Sequence, residues 1–269
     1  MKKAGIEFAV HGGESLKGDF YPARTGGKWP VVVMVHGGGW QLRSDVYAHW
    51  GPWLSERGIA VFTPTYRLAA PGKKSWPDAV QDVRAAVQYV RGNAAELNVD
   101  PQRIGLVGDS AGAHLAALVA LAGEHPLYKQ GSVPTNVKAV VGVYGVYDLF
   151  QQWRHDLPSR PRNNIVEQFL GVSAIDDKRA YFDASPLSYV TAKNNSTAFL
   201  ICWGDADDIV DHRSQSLAFL EALKQAGHFA RPVPVAGAPH FWMADPIDEP
   251  ESHTAFLAPR LLRFLATRL

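Results

Sequence analysis

The sequence predicts an α/β fold in which a mostly parallel central sheet is covered by helices on both faces. Short β-branched runs alternate with longer amphipathic segments through most of the chain, which is the pattern of repeated βαβ units. Several of these runs are apolar at nearly every position, as expected for strands buried on both faces. Hydrophobic residues make up 46% and charged residues 20% of the 269-residue chain, a composition typical of a globular protein that needs no disulfide or metal to hold its core.

The chain begins with a predicted pair of strands over residues 6–21, joined at the turn formed by residues 11–14. The remaining strands are predicted from six apolar runs, at residues 31–35, 60–66, 103–108, 137–144, 198–203 and 231–235. Helical periodicity predicts four principal helices, at residues 76–97, 111–122, 215–225 and 251–268. Pro259 is a candidate interruption of the last helix, because proline lacks the amide hydrogen that a helix interior requires.

Residues 149–197 depart from the alternation of strands and helices. The segment contains several prolines and many polar residues, and only residues 165–170 have a firm helical pattern. We therefore predict one domain over residues 1–269, in which residues 149–197 form a small cap-like insertion over one edge of the sheet.

The charge balance and the apolar runs limit the classes of partner. The formal net charge is +1, from 27 basic and 26 acidic side chains, so nothing favours nucleic acid or an anionic membrane as partner. No run approaches the roughly 18 apolar residues of a membrane span, and the amino terminus lacks the apolar core of a secretory leader. We predict a cytoplasmic protein that acts on a small molecule, although a chain that had lost its leader would look the same. The sequence does not determine the oligomeric state, and a homodimer is one of the states that it allows.

Cys202, in an apolar run, is predicted to be a buried free thiol.

The candidate nucleophile is Ser110, in the sequence GDSAG at residues 108–112. This G-x-S-x-G motif lies directly between a predicted strand and a predicted helix, where a serine is held in a strained conformation and projects from the sheet. The flanking glycines avoid a clash in so tight a turn. The helix amino terminus that follows would direct amide dipoles toward an oxyanion.

A second glycine-rich turn, HGGGW at residues 36–40, follows the strand at residues 31–35. Consecutive glycines let backbone N–H groups point toward one ligand atom. The turn lies at the carboxyl end of its strand, so we expect it at the same sheet edge as Ser110. His36 belongs to the turn itself and is interpreted as a residue that braces the loop.

Together the HGGGW and GDSAG motifs resemble the α/β-hydrolase superfamily, in particular the hormone-sensitive-lipase-like carboxylesterases and the related feruloyl and acetyl esterase branch. The resemblance extends from residue 31 to residue 240. It implies the α/β-hydrolase fold, and it implies the backbone N–H groups of Gly38, Gly39 and Ala111 as oxyanion donors. Ala111 also follows from the rule that the residue after the nucleophile donates.

In this fold the triad follows the order serine, acid, histidine. His240 lies in the loop between the strand at residues 231–235 and the last helix, where the family carries its base. The acid loop GDADD at residues 204–208 is similar to the family's GDADP, which aligns the acid with Asp207. Because Asp208 stands where proline is usual, Asp208 remains an alternative. His114, one helical turn after Ser110, is interpreted as a packed helix residue, and His212, His228 and His253 as residues outside the site.

The resemblance implies a serine carboxylesterase that works through an acyl-enzyme on Ser110. No cofactor is predicted, because the sequence has neither an H-E-x-x-H metal motif nor a G-x-G-x-x-G motif opening a helix. One alternative is an arylformamidase that hydrolyses N-formylkynurenine, although that family carries a bulkier residue at the position of Gly39 and histidine at that of Asp109. A second alternative is a hydrolase fold without activity that only binds ligands.

Three tryptophans predict the size of the substrate. Trp40 follows the oxyanion glycines, Trp203 ends the strand that leads to the acid loop, and Trp242 comes two residues after His240. If their large indole rings converge near Ser110, we expect Trp40 and Trp242 to contact substrate and the acyl group to be limited to about four carbons.

Overall fold

A computed structural model describes residues 1–24 and 26–269, and its centre is an eight-stranded sheet with the order β1-β2-β4-β3-β5-β6-β7-β8. The strands are β1 (Lys3–His11), β2 (Glu14–Tyr21), β3 (Trp29–Val35), β4 (Ala60–Pro64), β5 (Val99–Asp109), β6 (Ala139–Val143), β7 (Ala198–Gly204) and β8 (Ala230–Val235). β2 pairs antiparallel with both β1 and β4, and all other neighbouring strands pair in parallel. The predicted α/β class with a mostly parallel sheet is confirmed.

The helices are α1 (Trp50–Ser55), α2 (Asp78–Gly92), α3 (Ala94–Leu97), α4 (Ala111–Ala122), α5 (Leu149–Asp156), α6 (Ile165–Leu170), α7 (Lys178–Ala184), α8 (Ala218–Gln225) and α9 (His253–Arg268). They cover both faces of the sheet, as the alternation of side chains along β3 illustrates. Val31, Val33 and Val35 pack into the same core as α2 and α4. Val32 and Met34 face the other core, with α1 and α9. None of the nine helices, in the 268 residues with described positions, is long and apolar enough to cross a membrane.

Some predicted helices differ from those observed. The segment predicted as one helix over residues 76–97 is split into α2 and α3, because Asn93 leaves the helical conformation (φ −103°, ψ 22°). The candidate interruption at Pro259 was wrong, since α9 continues through it. Leu257, Leu261 and Leu265 bury the inner face of α9 almost completely, and this packing outweighs the missing backbone hydrogen bond.

The segment of residues 149–197 lies between β6 and β7 and contains three helices, α5, α6 and α7, where the sequence indicated only the second. The two helices that the sequence did not indicate each begin after an aspartate whose side chain accepts backbone N–H groups of the first turn, Asp148 for α5 and Asp177 for α7. Both helices are short, at 8 and 7 residues, so the helical period repeats too few times to stand out in the sequence.

Candidate active site

Ser110 occupies the turn between β5 and α4 in a strained backbone conformation, with φ 50° and ψ −120°. The turn is close-packed against β3, and a Cβ atom added at Gly112 would lie 1.9 Å from the carbonyl oxygen of Val35. The Ser110 N–H donates to the carbonyl of Val143 at 2.9 Å, which ties the turn to the end of β6. The sharp turn leaves the hydroxyl at the carboxyl edge of the sheet.

A chain of hydrogen bonds connects Ser110, His240 and Asp207. The Ser110 hydroxyl lies 3.0 Å from Nε2 of His240, and Nδ1 of His240 lies 2.7 Å from Oδ2 of Asp207. Both the His240 and Asp207 side chains are buried, at 2% and 1% exposure. With Nδ1–H donating to the carboxylate, Nε2 is left as the acceptor for the serine proton.

The acid loop after β7 distinguishes Asp207 from its neighbour. Oδ1 of Asp207 accepts the backbone N–H groups of Ile209 and Val210 at 3.0 and 2.9 Å, which leaves Oδ2 for His240. Asp208 is exposed, and its backbone carbonyl lies 3.0 Å from Nε2 of His155 in α5. Of the two candidate acids, the structure therefore places Asp207 against the histidine.

The glycine turn after β3 adopts the left-handed conformations that glycine allows, with φ 102° at Gly38 and φ 59° at Gly39. The carbonyl of Gly38 accepts the N–H groups of Gln41 and Leu42. Within the described residues, the N–H groups of Gly38 and Gly39 donate no hydrogen bond. The Ala111 N–H opens α4, so it has no acceptor in the helix. All three predicted donors are thus free to bind an oxyanion.

Asp109, beside the nucleophile, connects the two motif loops, a role that the sequence did not predict. Its Oδ1 accepts the N–H of Gly37 at 2.9 Å and the hydroxyl of Tyr47 at 2.8 Å. Burial raises the pKa of Asp109 to about 6, although both hydrogen bonds and the nearby His240 act to lower it. An acidic residue directly after the apolar run of residues 104–108 was the only sequence signal for this contact.

The raised pKa of Asp109 predicts a pH-dependent stability. Between about pH 4 and pH 6 folded Asp109 keeps a proton that the unfolded chain has lost, so its contribution to stability falls as pH rises through this window and stays low above it. Asp109→Asn keeps an oxygen acceptor and removes the buried charge. We expect Asp109→Asn to gain up to about 3 kcal/mol over the wild type at pH 8 relative to pH 4. Urea unfolding at both pH values measures this difference, and an equal offset at both would contradict it.

The ring of Tyr144 packs against the ring of His240, a contact for which the sequence gave no signal. Its ring lies 4.5 Å from the His240 ring, and its hydroxyl accepts the backbone N–H of Met243 at 3.3 Å. Tyr144 has a positive φ of 37° at the end of β6, an unusual value for a bulky residue. This backbone conformation and the two contacts fix the loop that carries His240.

The side chain of Trp40 is packed into the interior, at 1% exposure. Its indole stacks on Phe169 of α6 at 4.6 Å, and its Nε1–H donates to Nδ1 of His114 at 3.1 Å. His114 in turn donates from Nε2 to the carbonyl of Ala184, and burial lowers the pKa of His114 to about 4. His114 is therefore a neutral link between the glycine turn, α4 and the cap, in line with its interpretation as a packed helix residue.

The other two tryptophans are also interior residues. Trp242 is 1% exposed and lies edge-on to Tyr144, whereas Trp203 is 6% exposed and stacks with His212. All three indole rings are buried, and none of them is among the residues that line the cavity beside the site. Their convergence on Ser110 stays a prediction, because a side chain near a loop can point inward as readily as outward.

A cavity of about 230 Å³ adjoins the site. Its lining residues are Gly38, Leu42, Arg43, Ser44, Asp45, Val46, Asp109, Tyr144, Phe241 and Ala244. The cap helices border the site on the other side. Ile165 of α6 lies against Gly39, and Gln152 of α5 donates to the carbonyl of Ile209 in the acid loop. No group of three or more metal-ligating side chains occurs among the residues with described positions.

Curated relatives of the chain are named as esterases. It is 34% identical over 215 residues to esterase LipQ of Mycobacterium tuberculosis, which covers 78% of this chain and 48% of that protein. It is 29% identical over 242 residues to isoprenylcysteine alpha-carbonyl methylesterase ICME of Arabidopsis thaliana, covering 85% of this chain and 54% of the relative. The chain thus spans about half the length of the curated relatives it matches.

Solved structures extend the similarity over the whole chain. The apo form of Thermogutta terrifontis esterase 2 has a TM-score of 0.80 and 26% identity, covering 98% of this chain and 95% of that one. A truncated carbohydrate esterase from gut microbiota has a TM-score of 0.82 at 23% identity, covering 100% and 96%, and shows the shared fold. The α/β-hydrolase fold that the motifs implied is confirmed. The BD-FAE family model matches residues 19–223, and the chain belongs to the BD-FAE family.

Proposed function

We propose that this protein is a serine carboxylic-ester hydrolase with Ser110 as nucleophile, His240 as base and Asp207 as acid. One observation carries the proposal: the unbroken hydrogen-bond chain from Ser110 through His240 to Asp207, on a positive-φ turn beside free oxyanion donors. The esterase names of its relatives support the same activity.

In the acylation step, the Ser110 hydroxyl attacks the ester carbonyl carbon while Nε2 of His240 accepts its proton. Negative charge develops on the carbonyl oxygen, where the N–H groups of Gly38, Gly39 and Ala111 stabilise it. Asp207 stabilises the imidazolium through its short hydrogen bond. The tetrahedral intermediate collapses, the bond to the leaving oxygen breaks, and His240 returns the proton to the departing alcohol.

In the deacylation step, water replaces the alcohol beside His240. His240 removes a proton from the water as its oxygen attacks the acyl carbon, and the same N–H groups stabilise the second oxyanion. The ester bond to Ser110 then breaks, and His240 reprotonates the serine oxygen. The products are one carboxylic acid and one alcohol, and every step uses groups of this chain and water.

Covalent labelling tests the proposal. We expect a fluorophosphonate to inactivate p-nitrophenyl butyrate hydrolysis and to add one adduct, located on Ser110 by peptide mass spectrometry. Labelling of another serine with Ser110 unmodified would overturn the assignment. Assay of N-formylkynurenine on the same preparation tests the amide alternative, and a kcat/KM above that for all esters would replace esterase by formamidase.

The proposed substrates carry short acyl groups. The cap that borders the site supports this limit, whereas the buried tryptophans do not. The cap contacts both the oxyanion loop and the acid loop, which limits the space around the acyl group. We expect kcat/KM for p-nitrophenyl esters to peak at or below butyrate, because each methylene beyond the pocket loses packing. A maximum at octanoate or palmitate would show an open acyl channel instead.

A further inference from the structure

Only one of the two carboxylate oxygens of Asp109 accepts hydrogen bonds from other residues of the protein. Its Oδ1 accepts two hydrogen bonds, from Gly37 and Tyr47, whereas no described residue donates to Oδ2. Asp109 is 5% exposed and lines the 230 Å³ cavity. Oδ2 is not among the buried side-chain atoms that lack a partner, so solvent reaches it, and a hydroxyl group of a molecule in the cavity can take the place of that solvent.

The cavity lies on the His240 side of the nucleophile. One wall is Phe241, the residue after His240, and another is Tyr144, whose ring packs against the His240 ring at 4.5 Å. Gly38, one of the three free N–H donors, also lines the cavity. His240 delivers its proton to the leaving oxygen, so the group attached to that oxygen lies on the side of the site that Tyr144 and Phe241 border.

We propose that the cavity binds the leaving alcohol of the ester, and that Oδ2 of Asp109 accepts a hydrogen bond from a second hydroxyl on that alcohol. The inference rests on the proposed ester hydrolysis and adds a substrate class to it, the monoesters of small diols and related hydroxyl-bearing alcohols. Asp109 is then a specificity-determining residue beside the nucleophile.

The composition of the walls explains why the second hydroxyl would be selected. Leu42, Val46 and Phe241 are apolar and cannot pair with an additional hydroxyl. The polar lining residues Arg43, Ser44 and Asp45 are exposed to water, so Asp109 is the buried carboxylate available to that hydroxyl. A site built to pair a hydroxyl rejects the analogue that lacks it, because its own buried group then stays unpaired. We expect a preference of about tenfold or more, in keeping with a charge-assisted hydrogen bond.

The test compares three butanoate esters by kcat/KM, measured by titration of the released acid. 2-Hydroxyethyl butanoate and propyl butanoate differ by hydroxyl against methyl. 2-Methoxyethyl butanoate keeps the inductive effect of the oxygen without its proton. We expect the wild type to prefer the hydroxyethyl ester over both others by about tenfold.

Two substitutions separate Asp109 from the rest of the cavity. Asp109→Asn places an amide donor where Oδ2 was, so the hydroxyethyl advantage should fall to about threefold or less while the methoxyethyl ester gains relative to propyl. The matched control is Asp45→Asn at the exposed mouth, which should keep the wild-type ratio because water competes there. Ala244→Leu, which fills the cavity, should depress kcat/KM for the hydroxyethyl ester more than for methyl butanoate.

The hydroxyethyl-to-propyl ratio should also fall below about pH 6, as Asp109 takes up a proton. His240 acts as the base for both esters, so its contribution cancels in the ratio. The other titratable or charged groups around Asp109 are Tyr47, Tyr66, Tyr144, Arg43 and Asp45. A ratio near one in the wild type, with all three esters hydrolysed, would overturn this inference and leave the esterase proposal standing. Failure to hydrolyse any ester, with Ser110 unlabelled, would overturn the proposed function instead.

Discussion

Ser110→Ala and His240→Ala are each expected to lower kcat by about 10⁴- to 10⁶-fold, because either change removes the covalent route. The double variant should lose little more than each single one, since the two residues act as a unit. Residual activity would come from the N–H donors alone. KM should change much less than kcat, because neither side chain contributes most of the substrate-binding surface.

The acid provides a sharper test, since two adjacent aspartates are available. Asp207→Asn should reduce kcat by up to about 10⁴-fold, because the amide no longer fixes the histidine tautomer or stabilises the imidazolium. Asp208→Asn is the matched control and should remain within about threefold of the wild type, since Asp208 is exposed and only its backbone carbonyl is used. Collapse in Asp208→Asn with near-normal Asp207→Asn would shift the acid by one residue. Circular dichroism of the four single variants and the double variant would separate misfolding from lost chemistry.

The features that sequence predicted well are those with local causes. Apolar runs identified the five interior strands β3 to β7 because strands buried on both faces need apolar side chains at nearly every position, whereas β8 lies at the sheet edge and has exposed residues. The GDSAG turn was identified because its glycines are required by sterics within the turn itself, as the 1.9 Å approach of a Cβ at Gly112 to Val35 shows. The order of strand, motif and helix was therefore sufficient to position Ser110.

The features that sequence missed depend on contacts between distant segments. The Tyr47 to Asp109 hydrogen bond joins residues 62 positions apart, and neither residue has a pattern that reveals the other. Tyr144 acquires its position against His240 only when β6 and the histidine loop meet. For Trp40, Trp203 and Trp242 the positions in the fold were correct, but their side chains point into the core.

Gly38→Ala should lower kcat by about 10²- to 10³-fold, the effect of losing one oxyanion donor. The new Cβ would lie 2.3 Å from the carbonyl oxygen of Leu42, and that contact is to backbone, which cannot rotate away. The turn must open at the point where the Gly38 carbonyl accepts the N–H groups of Gln41 and Leu42. Opening moves the neighbouring N–H groups of Gly38 and Gly39 away from the oxyanion.

The positive φ of Gly38 adds backbone strain, which a matched variant separates from the clash. Gly72 also has a positive φ, of 74°, but nothing lies within 4 Å of a Cβ placed there. Gly72→Ala should therefore lose about 1 kcal/mol of stability and keep kcat near the wild-type value. Steady-state kinetics with p-nitrophenyl butyrate and thermal unfolding of both variants provide the comparison. If Gly38→Ala folds and keeps full kcat, the N–H groups of this turn do not stabilise the oxyanion, and the donors must be sought elsewhere around Ser110.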